Sequence, residues 1–288
     1  MEPITGRLWR IDRSGIIVND AHTDLIQPPF TALIEDAIRA YSDHIGGDID
    51  SIYLTGSVAR GLAVEGRSDL NAFAVLAAAV DPDLVLQDWV TDAECDLLER
   101  HPCVSDVQLE LWPYYSVFTD PARFSAPAFI LKTHSACLWG VDLSTQLPDY
   151  RISPAIANDD LVQLVDDLAD SAEGIEADPS DDNVRSWCQF AAKSILRSGF
   201  GLVQMQEGVH TRDVDLCCAY FVQHHPAYAN HMRRALHCAT DPIEEAESAL
   251  SFITGIGGWL IPLADEWLDQ HNPARELALP VDDVEAWE

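Results

Sequence analysis

The order of apolar and polar positions changes character near Tyr150. Before that point, short strand-like runs alternate with helical periods. After it, only helical periods remain. From Pro28-Pro29, residues Phe30, Leu33, Ile34, Ala37, Ile38, Tyr41 and Ile45 recur at helical spacing, and Gly46-Gly47 ends the run. The stretch "SIYLT" predicts a buried strand reaching Thr55, and a second strand runs over 69–76. A helix is expected over 89–100. A third strand lies in "VSDVQLELW" and ends near Trp112, with Val107, Leu109 and Leu111 alternating against Asp106, Gln108 and Glu110. The opening "GRLWRIDRSGIIVND" reads as a small hairpin turning at Arg13-Ser14-Gly15.

From Ser153 onward the pattern predicts helices over roughly 158–172, 181–206, 212–224, 227–238 and 242–271. Asp241 and Pro242 suit the cap and first position of the last of these. Gly255, Gly257, Gly258 and Pro262 should break or kink it. The expected fold class is an α/β (α+β) domain with a mixed sheet over residues 1–150, then an all-α helical domain over 151–272. An acidic, loose tail is expected over 273–288.

Composition narrows the partners. The 288 residues carry 48 acids against 17 bases, a formal charge of −31, and Lys132 and Lys193 are the only lysines. A nucleic-acid partner is not expected, because phosphate contact calls for the opposite balance. Such acidity fits a halophilic protein in a high-salt cytoplasm, where screening removes self-repulsion. A hydrophobic fraction of 48% with eight Trp argues against a disordered acidic chain. Seven cysteines without a C-x-x-C pair fit reduced thiols and a cytoplasmic location. No signal peptide or long apolar run points to a membrane. The oligomeric state stays open.

The chemistry-bearing stretch is "SIYLTGSVARGLAVEGRSDLNAFAVL". Gly56 permits a tight turn with close backbone approach. Ser57 offers a hydroxyl and an N–H at a helix start, a natural place for an anion, and Arg60 one turn on is a candidate phosphate contact. Asp69 and Asn71, two apart on a strand, face the same side, and their oxygens suit Mg²⁺. The string Gly56-Ser57-x-Ala59-Arg60-Gly61, then Ser68-Asp69 opening an apolar strand, resembles the DNA polymerase β-like nucleotidyltransferases. That resemblance implies two acids on this strand and a third on a neighbouring strand, together holding Mg²⁺ for phosphoryl transfer from ATP. Asp106, Gln108 and Glu110 share one face and are the candidates for the third position. Glu110, central in the alternation, is the favoured one, as metal ligand or base. Asn71 departs from the pattern by replacing the second acid with an amide. The resemblance therefore implies either AMP transfer from Mg-ATP to a hydroxyl of a small molecule, or a silent nucleotide-binding protein on the same fold.

In the helical half, Arg185, Gln189, Lys193 and Arg197 recur every four residues opposite Val184, Trp187, Cys188, Ala191 and Ile195. Lys193 and Arg197 are candidates to meet the triphosphate. The segments "EGVHTRDVDLCCAYFVQHHP" and "LKTHSACLWGVDLSTQLP" sharpen the likeness to two-domain aminoglycoside adenylyltransferases. In that group a Ser/Thr and a basic residue precede a helix and the base touches ATP phosphates; Thr211-Arg212 would be the equivalent, which implies that role for Arg212. The second segment is similar to a linker in which a helix ends in Gly before the second domain. An aminoglycoside-like acceptor is one candidate partner.

Overall fold

The computed structural model describes residues 6–82, 85 and 87–281. They form two compact units, one of residues 12–150 and one of residues 6–11 with 151–281. The first is an α/β unit with a mixed sheet and the second is all-helical apart from its N-terminal strand residues.

The chain opens with short strands β1 (Arg10–Ile11) and β2 (Ile17–Val18). Between them Asp12 N donates to Ile16 O at 2.9 Å, which is the turn expected at Arg13-Ser14-Gly15. Helix α1 (Pro28–His44) begins with proline in its first turn, where no intrahelical N–H is missed. Then follow β3 (Ile49–Thr55), the single-turn α2 (Gly56–Ala59), β4 (Leu70–Leu76), α3 (Trp89–Arg100) and β5 (Val107–Trp112). Helices α4 (Tyr114–Val117) and α5 (Ala126–His134) lead into β6 (Ala136–Gly140).

The sheet runs β5-β4-β3-β6. β3 pairs antiparallel with β4 and with β6, while β4 and β5 run parallel. One face packs on α1 and α3, where Phe30, Leu33, Tyr41 and Leu97 meet Ile52, Leu54, Leu70, Ala72 and Leu109. Burying each large apolar side chain there contributes about 1.5–3 kcal/mol. Tyr41 fastens the parallel pair from this side: its hydroxyl donates to Ala72 O at 2.9 Å, with Glu110 O at 3.1 Å. On the opposite face Tyr53, Phe73 and Val75 pack with Val117, Ala128, Leu131, Leu143 and Leu147. The outer edge of β5 is closed by α3, where Leu109 N donates to Glu94 Oε1 at 2.7 Å.

The segment expected as a linker thus holds a strand: 136–140 completes the sheet beside β3. After Ser153 the chain is helical: α6 (Pro154–Ala177), α7 (Asp181–Glu207), α8 (Val214–His224), α9 (Ala229–Thr240), α10 (Ala246–Thr254) and α11 (Leu260–His271). The last two were expected as one helix starting at Pro242. Instead Glu245 is the cap, its carboxylate accepting from Glu247 N at 3.0 Å and Ser248 N at 2.7 Å, so residues 242–245 lie outside the helix. A 3₁₀ turn over Gly255–Gly258 separates α10 from α11, with a bend of 42°. Among the described residues no single helix is long and apolar enough to cross a membrane. The bent pair has the composition for it, but its Phe252, Ile253, Ile256, Leu260 and Leu268 lie in the helical core.

The start of the tail is tied down, contrary to the expectation of a loose segment. Asn272 Nδ2 donates to Asn158 Oδ1 at 2.7 Å, and Asn158 Nδ2 donates to Glu276 O at 3.1 Å. Asn272 Oδ1 accepts from Glu276 N at 2.9 Å. Both asparagines are buried, so every one of these bonds replaces a lost contact with water. Residues 282–288 lie outside the described part.

Candidate active site

The strand register sorts the proposed site residues into rows. Thr55 pairs with Asn71, and Asn71 with Gln108. One step deeper, Tyr53 pairs with Phe73, and Phe73 with Glu110. Paired residues of adjacent strands share a face, so the first row is polar and the second mostly aromatic. Tyr53 and Phe73 stack with centroids 5.1 Å apart, and Phe73 stacks on Trp112 at 3.7 Å. The aromatic layer is the floor beneath the polar row.

At the outer end, Leu70 pairs with Val107 and Leu70 N donates to Asp106 O at 2.9 Å. The residues just before this pair, Asp69 and Asp106, therefore stand at adjacent strand ends on the same face as Asn71 and Gln108. Asp106 Oδ2 accepts from Gln108 Nε2 at 3.1 Å.

The Gly56 turn closes the row from the β3 side. Gly56 has φ of +75°, a conformation that a side chain disfavours. A Cβ there would stand 3.3 Å from Asn71 Nδ2, so the turn is held close against the Asn71 amide. Gly56, Ser57, Asp69 and Asn71 are thus gathered at one end of the sheet.

Three features differ from the sequence expectation. First, Glu110 is not brought beside Asp69. It stands opposite Phe73, two register steps beyond Asp106, and its Oε2 accepts from Trp112 Nε1 at 2.6 Å. Asp106 and Gln108 occupy the positions beside Asp69 and Asn71. Second, Arg60 is turned inward. It is 4% exposed, and its Nε donates to Asp20 Oδ2 at 3.0 Å. A guanidinium so buried is held by its carboxylate and does not reach a phosphate at the turn. Third, α2 spans only four residues, Gly56–Ala59. So short a helix sums few peptide dipoles, which leaves the N–H groups and the Ser57 hydroxyl as its contribution to anion binding.

Arg185, Gln189, Lys193 and Arg212 have partners within the helical unit. Arg185 pairs with Glu244, and Gln189 Nε2 donates to Ala239 O at 3.0 Å. Lys193 Nζ donates to Gln189 Oε1 at 3.3 Å. Arg212 NH1 lies 3.1 Å from both carboxylate oxygens of Asp160. Burial works against its charge, and the carboxylates of Asp160 and Asp159 outweigh that and raise its pKa. Arg212 is therefore committed to Asp160 rather than free for a phosphate. Arg197 and Arg212 both lie near the Cys217 thiol, where burial pushes the pKa up to about 12 against their opposing charges.

The same cluster holds Asp159. Burial, then the neighbouring Asp160 charge, raise its carboxyl to about 7, partly countered by Arg212. Asp167 completes the group and accepts from Ser194 Oγ at 2.7 Å. The sequence reading missed this cluster. Its signal was the Asp159-Asp160 pair on an otherwise apolar helix face, one turn from Leu164 and two from Asp167.

No family model matches the chain, and no curated protein does. Among solved structures, spectinomycin adenyltransferase AAD(9) from Enterococcus faecialis, determined with ATP and spectinomycin, is similar over 81% of this chain and 98% of its own. The identity is 11% and the TM-score 0.44. At that score the likeness is loose.

Proposed function

We propose that the α/β unit binds a Mg-nucleoside triphosphate, ATP by the sequence resemblance, and transfers its nucleotidyl group to a hydroxyl of a small molecule. The observation that supports this reading best is the convergence at one sheet end of the Gly56 turn, Asp69, Asn71 and Asp106. A positive-φ turn beside carboxylates on neighbouring strands suits a metal-bound phosphate chain.

The donor set fits Mg²⁺, a hard ion that takes carboxylate and amide oxygens. Asp69, Asp106 and the side-chain oxygen of Asn71 would hold it, and when bound it neutralises the phosphate charge. The Gly56 turn would bring backbone N–H groups and the Ser57 hydroxyl to the phosphates. The acceptor oxygen bonds to the α-phosphorus as the bond to the bridging oxygen breaks, and pyrophosphate departs. A carboxylate of the row takes the acceptor's proton, and Asp106, exposed beside Asp69, is placed for it.

A second reading has its own observation. Asn71 and Gln108 put two amides side by side in the row. Among the described residues no group of three His, Cys, Asp or Glu is placed to hold a metal. Both facts favour a weak or silent nucleotide-binding protein.

Calorimetric titration of ATP, with and without Mg²⁺, in molar potassium chloride to suit so acidic a chain, tests the first step. Magnesium-dependent binding is expected. No binding in either condition overturns both readings. Binding followed by pyrophosphate release with hydroxyl acceptors supports transfer, and binding with no release under any of them supports the silent protein.

A further inference from the structure

Within the α/β unit, the candidate site lacks positive charge from the two sources the sequence offered there. Arg60 is buried on Asp20 at 3.0 Å, and α2 is too short to carry an appreciable dipole. A triphosphate approaching Asp69 and Asp106 meets like charge in a strongly acidic protein. Bound Mg²⁺ would offset part of that repulsion, and a cation of this unit near the terminal phosphates would offset more of it. Arg39 and Arg100 are spent on Asp36, and Lys132 lies 3.3 Å from Asp149.

Arg67 differs from all of these. It is exposed and, like Arg13, forms no ion pair among the described residues, but of these two only Arg67 adjoins Asp69 in the chain. It lies in the loop that delivers the chain into β4, two residues before Asp69. That separation is at most about 7 Å between Cα atoms, which the long arginine side chain covers.

The loop beneath it is firmly built. Val64 N donates to Ser68 Oγ at 2.9 Å, and Arg67 N and Ser68 N both donate to Val64 O at 3.0 Å. The loop is also fastened to the segment before β5: Gly66 N donates to Cys103 O at 2.7 Å, and Ser105 N to Ser68 O at 3.0 Å. Ser105 Oγ donates to the Arg67 carbonyl itself at 2.9 Å. The Arg67 backbone is thus fixed at the ends of the two strands that carry Asp69 and Asp106. Only side-chain freedom is lost when its guanidinium engages a ligand, which limits the entropic cost of binding.

We infer that Arg67 is the phosphate-binding cation of this site and engages the terminal phosphates of the Mg-nucleoside triphosphate, the role the sequence pattern assigns to Arg60. The inference rests on the nucleotide-binding reading above. An arginine in this place offers planar, two-pronged hydrogen bonding to phosphate oxygens that a lysine does not reproduce.

The test is calorimetric titration of Mg-ATP and of AMP into the full chain and into its Arg67→Ala and Arg67→Lys variants. Thermal melting of each variant checks that the fold is kept. Arg67→Ala should weaken Mg-ATP binding about tenfold or more, the usual effect of losing a hydrogen-bonded charge pair. AMP, which lacks the terminal phosphates, should bind both proteins alike. Arg67→Lys should fall between the two. Equal Mg-ATP affinity in Arg67→Ala and the unsubstituted protein overturns the inference and leaves the nucleotide site standing. Equal losses for Mg-ATP and AMP overturn it as well, because the residue would then act on the fold and not on the terminal phosphates. If the unsubstituted protein binds no nucleotide, the underlying reading fails and this one falls with it.

Discussion

Gln108 stands beside Asn71 across the parallel β4–β5 ladder, so two neutral amides occupy neighbouring positions where carboxylates would hold metal more strongly. An amide oxygen can ligate Mg²⁺ but contributes no charge. Placing acids at both positions, Asn71→Asp with Gln108→Glu, should raise pyrophosphate release from ATP by about tenfold or more, since charge at a metal site acts directly on the barrier. Asp69→Asn in the unsubstituted background should abolish the magnesium-dependent part of ATP binding. Turnover unchanged in the double variant, with binding unchanged in Asp69→Asn, would remove this row from the chemistry.

The Arg60–Asp20 pair should be a stability element. Asp20 is 14% exposed and Arg60 4% exposed at the side chain. Arg60→Ala takes the guanidinium away from a mostly buried carboxylate, at a cost of about 3 kcal/mol. Urea denaturation should show the loss in the midpoint. In folded protein at low temperature, Mg-ATP affinity should stay within about twofold, because a difference of a few tenths of a kcal/mol is all a remote site transmits. A large loss of affinity with little loss of stability would return Arg60 to the phosphate role.

Gly56→Ala puts a methyl group on a backbone at φ +75° and 3.3 Å from Asn71 Nδ2. The left-handed conformation costs about 1–2 kcal/mol for a residue with a Cβ, and the Asn71 amide must give way. Both a lower melting temperature and weaker Mg-ATP binding are expected. A drop in melting temperature with unaltered binding would show that the turn serves the fold alone.

What the sequence could reveal here depended on whether the deciding contact was local. Strand alternation is local, so Asp69 and Asn71 on one face, and Asp106, Gln108 and Glu110 on one face, could be read directly. Which of those three stands beside Asp69 depends on the parallel register. That register is set by a crossover through α3, and alternation constrains its parity but not its step. Arg60 misled for a similar reason: its partner, Asp20, lies 40 positions upstream. β6 escaped notice because Cys137 and Trp139 are apolar on the side opposite Leu138, which erases the alternation, and because it follows α5 after a single residue. Most helices of the second half could be read from their periods, which are long and local. Its last helical stretch starts later than expected, at a Glu245 cap, because Asp241 closes α9 instead.

Stability should depend on pH through Asp159. Its folded pKa, raised to about 7 by burial and then by Asp160, exceeds the ordinary carboxylate value. Between roughly pH 4 and 7 the unfolded chain has lost this proton and the folded one keeps it. The contribution is therefore complete below pH 4 and is lost as pH rises through 7. Asp159→Asn should flatten this part of the curve, with a urea midpoint above that of the unsubstituted protein at pH 8. Parallel pH curves for the two proteins would show that Asp159 ionises normally in the fold.

Outer strands of open sheets invite pairing with a second chain, and β5 is such a strand. Glu94 already takes the outward Leu109 N–H at 2.7 Å, and burial followed by the charges of Asp106 and Glu110 raises its pKa. An incoming strand would have to displace that carboxyl and then lie beside two further acids. Edge-to-edge growth is thereby disfavoured at the β5 edge, the one nearest the candidate chemistry.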